Sequence, residues 1–181
     1  VYKRQLMALA ILPAFAPAST LAAPDIYDTT LGPYSTFSID ITIDDVSAMW
    51  GYKFKLVYDT SVLTAIGYGT YAPFNVPWPS EINDTAGYVL VAYSMKLGEL
   101  VGFSTTTPAP IARIDFSVDA YGWSFFDIQG SVVSDIYGNP IAHIVDDGFF
   151  ANIIATRQVN LVGKSAWPEH HHWVMSKDPD Q

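Results

Sequence analysis

An all-β fold, an antiparallel β-sandwich, is what this sequence predicts, and three observations carry it. Apolar and polar residues alternate in short runs from Phe37 to Phe150, Gly, Pro or Asp punctuates those runs, and no 3.6-residue apolar period is sustained after Ala23. Composition agrees. Of 181 residues, 50% are apolar and 14% aromatic, with 12 Gly and 12 Pro, which suits one domain with tight turns. A mature piece of roughly 150 residues buries most of its apolar surface on folding, so it needs neither disulfide nor metal for stability.

Composition also narrows function. The absence of cysteine removes thiol chemistry, zinc-ribbon ligands and redox motifs, and leaves the compartment unreadable from disulfides. A net charge of −9 with nine Lys and Arg provides no electrostatic footprint for a phosphate backbone, which argues against nucleic acid as a partner. The acids Asp40, Asp44, Asp59, Asp84, Asp115 and Asp127 are scattered singly, the pattern of a solvated sheet face.

The N-terminus reads as a secretory leader. Lys3 and Arg4 precede the apolar run Leu6 to Phe15, and small residues follow, with cleavage points after Ala18 or Ala22; residues 1–23 are assigned to a signal peptide. The run is too short and Pro-rich for a membrane span of about 20 residues, so no span is expected in this fragment. Residues 1–5 lack an initiator Met and read as a translated sequencing adapter, so the expectation is a clipped reading frame from an environmental assembly.

The strands follow in order. Ser35 to Ile43 sets Phe37, Ile39, Ile41 and Ile43 on one face against Ser38, Asp40 and Thr42; after an Asp44-Asp45 turn, Tyr52, Phe54, Leu56 and Tyr58 oppose Lys53 and Lys55. Val62 to Ile66 is a short third strand. Gly67 to Pro79 holds Pro73, Pro77 and Pro79, which cannot donate to a ladder, and reads as a loop or irregular edge. Tyr88 to Met95 alternates again, Lys96 to Pro110 reads as loop, and Ile111 to Val118 buries Ala112, Ile114, Phe116 and Val118. Gly122 turns the chain into Trp123 to Gln129, and Gly130 is expected to turn it again into Ser131 to Ser134. Asp135 to Pro140 is a hairpin connection with Gly138 at a position that tolerates positive φ, before strands at Ile141 to Val145 and Phe149 to Ile154.

Four stretches in this order, Gly51-Tyr52-Lys53-Phe54-Lys55-Leu56-Val57-Tyr58-Asp59 with Val62-Leu63, Ala112 to Val118, Asp135 to Asn139, and Asp147-Gly148-Phe149, resemble the cohesin domain over about Asp25 to Ile154. The resemblance rests on their order and spacing, not on one diagnostic motif. It implies a jelly-roll sandwich of about nine strands, an extracellular or cell-surface setting, and a dockerin partner. Residues 24–156 are assigned to this cohesin-like domain, and 157–181 to a linker and the start of a following module in a longer chain. Cohesins share their architecture with carbohydrate-binding modules, so a polysaccharide is the alternative partner and a structural role in a surface array the third.

Candidate site residues come with plainer readings. Lys53, Lys55, Arg113 and Asp115 are outward polar residues able to set charge complementarity with a partner protein. Tyr68, Tyr71, Phe74 and Trp78 crowd one loop; Tyr71 and Trp78 are the candidate glycan-stacking rings, and a small satellite core is the plainer reading. Trp50 and Trp123 read as packing residues beside strands. Asn83-Asp84-Thr85 is a sequon, placing a possible N-glycan on Asn83. Asp44-Asp45 and Asp146-Asp147 lack the spacing of a calcium loop, and no carboxylate pair is recognisable as catalytic, so neither a cofactor, a metal nor an enzyme is expected. His143 reads as a structural side chain. His170-His171-His172 would alternate between strand faces and not converge on a metal.

Overall fold

The computed structural model describes residues 18–153, except 97, 99 and 100, together with the backbone of 161–167 and 170–175. The apolar run of the expected leader lies outside these residues, as do the side chains of His170, His171 and His172. All regular elements among the described residues are strands. In chain order they are β1 (Ser19–Ala22), β2 (Asp25–Tyr27), β3 (Thr36–Asp44), β4 (Val46–Met49), β5 (Gly51–Val57), β6 (Leu63–Thr70), β7 (Val76–Pro77) and β8 (Glu81–Asn83). There follow β9 (Tyr88–Ser94), β10 (Phe103–Thr105), β11 (Ala109–Val118), β12 (Trp123–Ser134), β13 (His143–Asp146), β14 (Gly148–Ala151), β15 (Leu161–Trp167) and β16 (His170–Met175).

Two sheets form the sandwich. One runs β13-β1-β3-β11-β6; the other runs β2-β14-β12-β5-β9-β7, with β8 also on β9, while β10-β4 and β15-β16 are separate pairs. The alternation read from the sequence decides the inner faces. Ile39, Ile41, Ile43, Ile114 and Phe116 of the first sheet meet Phe54, Leu56, Val91, Phe126 and Phe150 of the second, all but Ile39 fully buried. Ring contacts bridge the layers, Phe116 to Phe126 at 5.4 Å and Phe37 to Phe150 at 4.9 Å between centroids.

Most ladders are antiparallel, but the first and last strands of the sandwich pair in parallel. Ser19 to Ala22 lie beside His143 to Asp146 in the first sheet, and Asp25 to Tyr27 lie beside Phe149 to Ala151 in the second. The sequence offset is the same in both, so this is one parallel seam that crosses between sheets. Pro24, which cannot donate to a ladder, stands at the crossing. Ala23 N donates to Asp146 O at 2.9 Å and Phe149 N to Pro24 O at 3.3 Å. A Cβ on Gly148 would lie 2.4 Å from the Pro24 oxygen, so only glycine fits there. The sandwich thus includes Ser19 to Ala23, upstream of residue 24.

Other boundaries differ from the sequence reading for identifiable reasons. Gly130 does not end a strand: with φ 57° it sits at a register shift between Gln129 and Val132, a bulge inside one twelve-residue β12. β6 continues to Thr70, and Val76–Pro77 and Phe103–Thr105 form short strands within the expected loops. The Asp135 to Pro140 turn closes as expected, Asp135 N donating to Asn139 O at 3.0 Å, with Gly138 at φ 79°.

Candidate functional site

The outer face of the β12, β5 and β9 ladder carries a cavity of about 600 Å³. Its floor is made by small residues brought into register from three strands: Gly51 pairs with Ser94 on one side and Ser134 on the other, and Ala92 lies opposite Lys53. A Cβ on Gly51 would stand 3.3 Å from that of Ser94, so the floor is already close-packed. Trp50, Trp78, Ile136 and Tyr137 line the walls. Trp78 is 60% exposed and its indole N–H donates to Ser94 Oγ at 3.0 Å, while Tyr137 is 86% exposed on the Asp135 turn. Lys53 lines the same cavity, exposed. Lys55 lies two residues further along β5, its ammonium 5.5 Å from the Tyr88 ring centre.

Arg113 and Asp115 lie elsewhere, on the outer face of the other sheet. Arg113 Nε donates to Asp115 Oδ1 at 2.8 Å and Arg113 Nη2 to Ser38 Oγ at 2.6 Å, while Ser38 donates to Asp115 Oδ1 at 2.6 Å. The Ser38 hydroxyl and then the Arg113 guanidinium hold the Asp115 carboxyl below its ordinary value. Tyr71 joins this face, donating to Asp40 Oδ1 at 2.7 Å, a bond that pushes its phenol up. Gly67 and Gly69 on β6 pair with Asp115 and Arg113, so the β6 positions directly opposite the ion pair carry no side chain.

The four charged candidates therefore divide between opposite faces, Lys53 and Lys55 on one and Arg113 and Asp115 on the other. The two stacking candidates divide as well, Trp78 in the cavity and Tyr71 beside Asp40. Phe74 belongs to the main core at 1% exposure, packed on Tyr52 and Phe103. Asn83 ends β8, its amide oxygen accepting from Ala86 N at 3.0 Å and its Nδ2 donating to Tyr88 at 3.4 Å. Asp147 accepts from Ile128 N at 2.8 Å, a structural bond. Among the described residues no group of three or more His, Asp or Glu is placed to hold a metal ion.

Sequence reasoning missed the cavity and misread one tryptophan. The floor residues are far apart in the chain and individually unremarkable, so only strand order assembles them. Trp123 was expected to be packed, yet it is 50% exposed on the outer face of β12, beside Phe125 at 59%. The signal was available in part, because alternation already set Trp123 and Phe125 on one side and Ser124 and Phe126 on the other.

No family model matches the sequence, and no curated protein matches it. Solved structures do match. A non-cellulosomal cohesin from the hyperthermophilic archaeon Archaeoglobus fulgidus superposes with a TM-score of 0.60 at 15% identity, covering 74% of this chain and 90% of that one. The third cohesin ScaC of Acetivibrio cellulolyticus, solved in complex with the ScaB dockerin, gives 0.63 at 12% identity, covering 75% and 99%. A type II cohesin domain from the cellulosome of the same organism gives 0.56 at 16% identity, covering 76% and 96%. The chain has the cohesin fold, an all-β sandwich.

Proposed function

We propose that this domain is a non-catalytic docking module that presents the outer face of β12, β5 and β9 to a partner protein of the dockerin type. The single observation that carries this reading is the cavity of about 600 Å³ with a close-packed floor of small residues and rings for walls. Such a pocket is ready to receive one apolar anchor side chain of a partner, and Lys53 at its side, with no salt-bridge partner among the described residues, can pair with a carboxylate. Trp50 Nε1, buried with no acceptor among the described residues, lies in the same wall. Because strands hold the floor, binding needs little backbone change. Several structures of the same fold are cohesins solved with dockerins, which supports the partner class. The setting that goes with this role is the cell surface or the extracellular space, on a scaffold with neighbouring modules.

The test is a dockerin panel titrated against the chain by calorimetry. One member is expected to bind, with Tyr137→Ala and Lys53→Glu each weakening it roughly tenfold or more and Arg113→Glu leaving it unchanged. Binding lost in Arg113→Glu and kept in Tyr137→Ala would move the site to the other face. Binding to no dockerin would remove the proposal.

A further inference from the structure

We propose a second binding site on the same sheet, remote from the cavity: an aromatic platform of Tyr27, Trp123, Phe125 and Phe149 that takes a neutral polysaccharide chain.

The platform is built by register. Outward residues of β12 alternate with the buried Ser124, Phe126 and Ile128, and run Trp123, Phe125, Asp127, Gln129. Phe125 lies opposite Phe149 and Trp123 opposite Ala151; on the far side of β14, Asp25 lies opposite Phe149 and Tyr27 opposite Ala151. Trp123 and Phe149 are nearly parallel, 24° between planes at 6.3 Å, and Phe125 stands across them, 5.3 Å and 76° from Trp123 and 5.7 Å and 59° from Phe149. Tyr27, Trp123 and Phe125 are 64%, 50% and 59% exposed, on a face where small polar residues would satisfy the fold equally well.

The rings are held, not loose. Asn152, 2% exposed, accepts from Gly122 N at 2.7 Å and donates to Leu31 O at 2.7 Å and Ala120 O at 3.2 Å, tying the turn before Trp123 to the end of β14. Tyr27 donates to Ile153 O at 3.0 Å. A preorganised platform loses little entropy on binding.

Chemistry selects the occupant. Aromatic faces suit the C–H faces of sugar rings, whose hydroxyls then project at the edge. At this edge stand acceptors: Asp25, and Asp127, which Gln129 Nε2 approaches at 2.6 Å. The cation next in register, Lys55 opposite Gln129, is turned to Tyr88. With carboxylates at the rim and a net charge of −9, an anionic ligand is repelled. A second copy seated face to face would bring its own Asp25 and Asp127 to the same rim and add like charge there. A neutral polyhydroxyl chain meets neither obstacle and donates to both carboxylates.

The full chain is titrated with hexasaccharides of β-1,4-linked glucose, xylose, mannose and N-acetylglucosamine, read by tryptophan fluorescence and calorimetry. One of them is expected to bind, with Trp123→Ala weakening it roughly tenfold or more, Trp123→Tyr restoring most of it and Tyr137→Ala leaving it unchanged. Phe125→Ser serves as a second variant should Trp123→Ala unfold. Three results would overturn the proposal: no hexasaccharide binds; binding survives Trp123→Ala and falls in Tyr137→Ala; or the chain self-associates in sedimentation and Trp123→Ala abolishes it. Dockerin binding is scored separately, so either site can fail alone.

Discussion

Ser38 and Arg113 both donate to one oxygen of Asp115, and together they lower its carboxyl pKa in the folded chain. The folded value lies below the unfolded one of about 3.9, so the bonds contribute stability above that pH, and this is lost as pH falls through the folded value. The Asp115 side chain is 35% exposed and Arg113 54%, so solvent screens the pair and the stability at stake is small. Ser38→Ala removes the leading cause and is expected to move the Asp115 pKa up toward its ordinary value, read from the carboxyl carbon by NMR titration. An unmoved titration would show that Arg113 alone sets it. Alternation along β11 made the side-by-side placement of Arg113 and Asp115 legible in the sequence. Ser38 was not legible as their partner, because which strand lies next to β11 depends on sheet order.

Among the strands, β1 decides which of the two expected leader cuts the sandwich could tolerate. Leu21 is fully buried in the core, and Ser19 donates to Asp45 O at 2.9 Å, so the strand is part of the sandwich. A leader cut after Ala18 leaves β1 in place, whereas a cut after Ala22 removes it. If the leader read from the sequence is removed, the expected N-terminus is therefore Ser19, checked by N-terminal sequencing of the chain exported from a secreting host. Leu21→Ala is expected to cost about 2–5 kcal/mol in urea unfolding through the cavity it opens. A loss under about 1 kcal/mol would mean that β1 is peripheral and that either cut is tolerated. Apolar small residues before Pro24 read equally as the end of a leader and as a buried strand, which is why the sequence alone left this boundary at residue 24. β12 shows the converse ambiguity. Gly130 carries the same punctuation as a turn, and only its place opposite the unbroken β5 makes it a bulge.

At the scale of the whole molecule, the parallel seam of β1 and β2 against β13 and β14 is expected to set how the sandwich responds to tension. Antiparallel pairing was readable from alternation and short turns, but a contact between the first and last strands of the sandwich leaves no local signature. In this seam the chain enters at Ser19 and leaves past Ala151 at the opposite end, over a run of about 30 Å at strand rise. Tension applied through both ends drags the paired strands past one another, so many hydrogen bonds must break together. Tension at Asp59 and Gly87, just beyond the paired Val57 and Tyr88, instead opens the β5–β9 ladder one bond at a time. Forced unfolding reports the barrier and not the equilibrium stability. Single-molecule pulling through residues 19 and 153 is therefore expected to need distinctly more force than pulling through 59 and 87. Gly148→Ala, which drives a Cβ into the Pro24 carbonyl, should lower the first force and spare the second. Equal forces in the two geometries would show that the seam yields before it is sheared, and that the sheets, not the paired ends, carry the load.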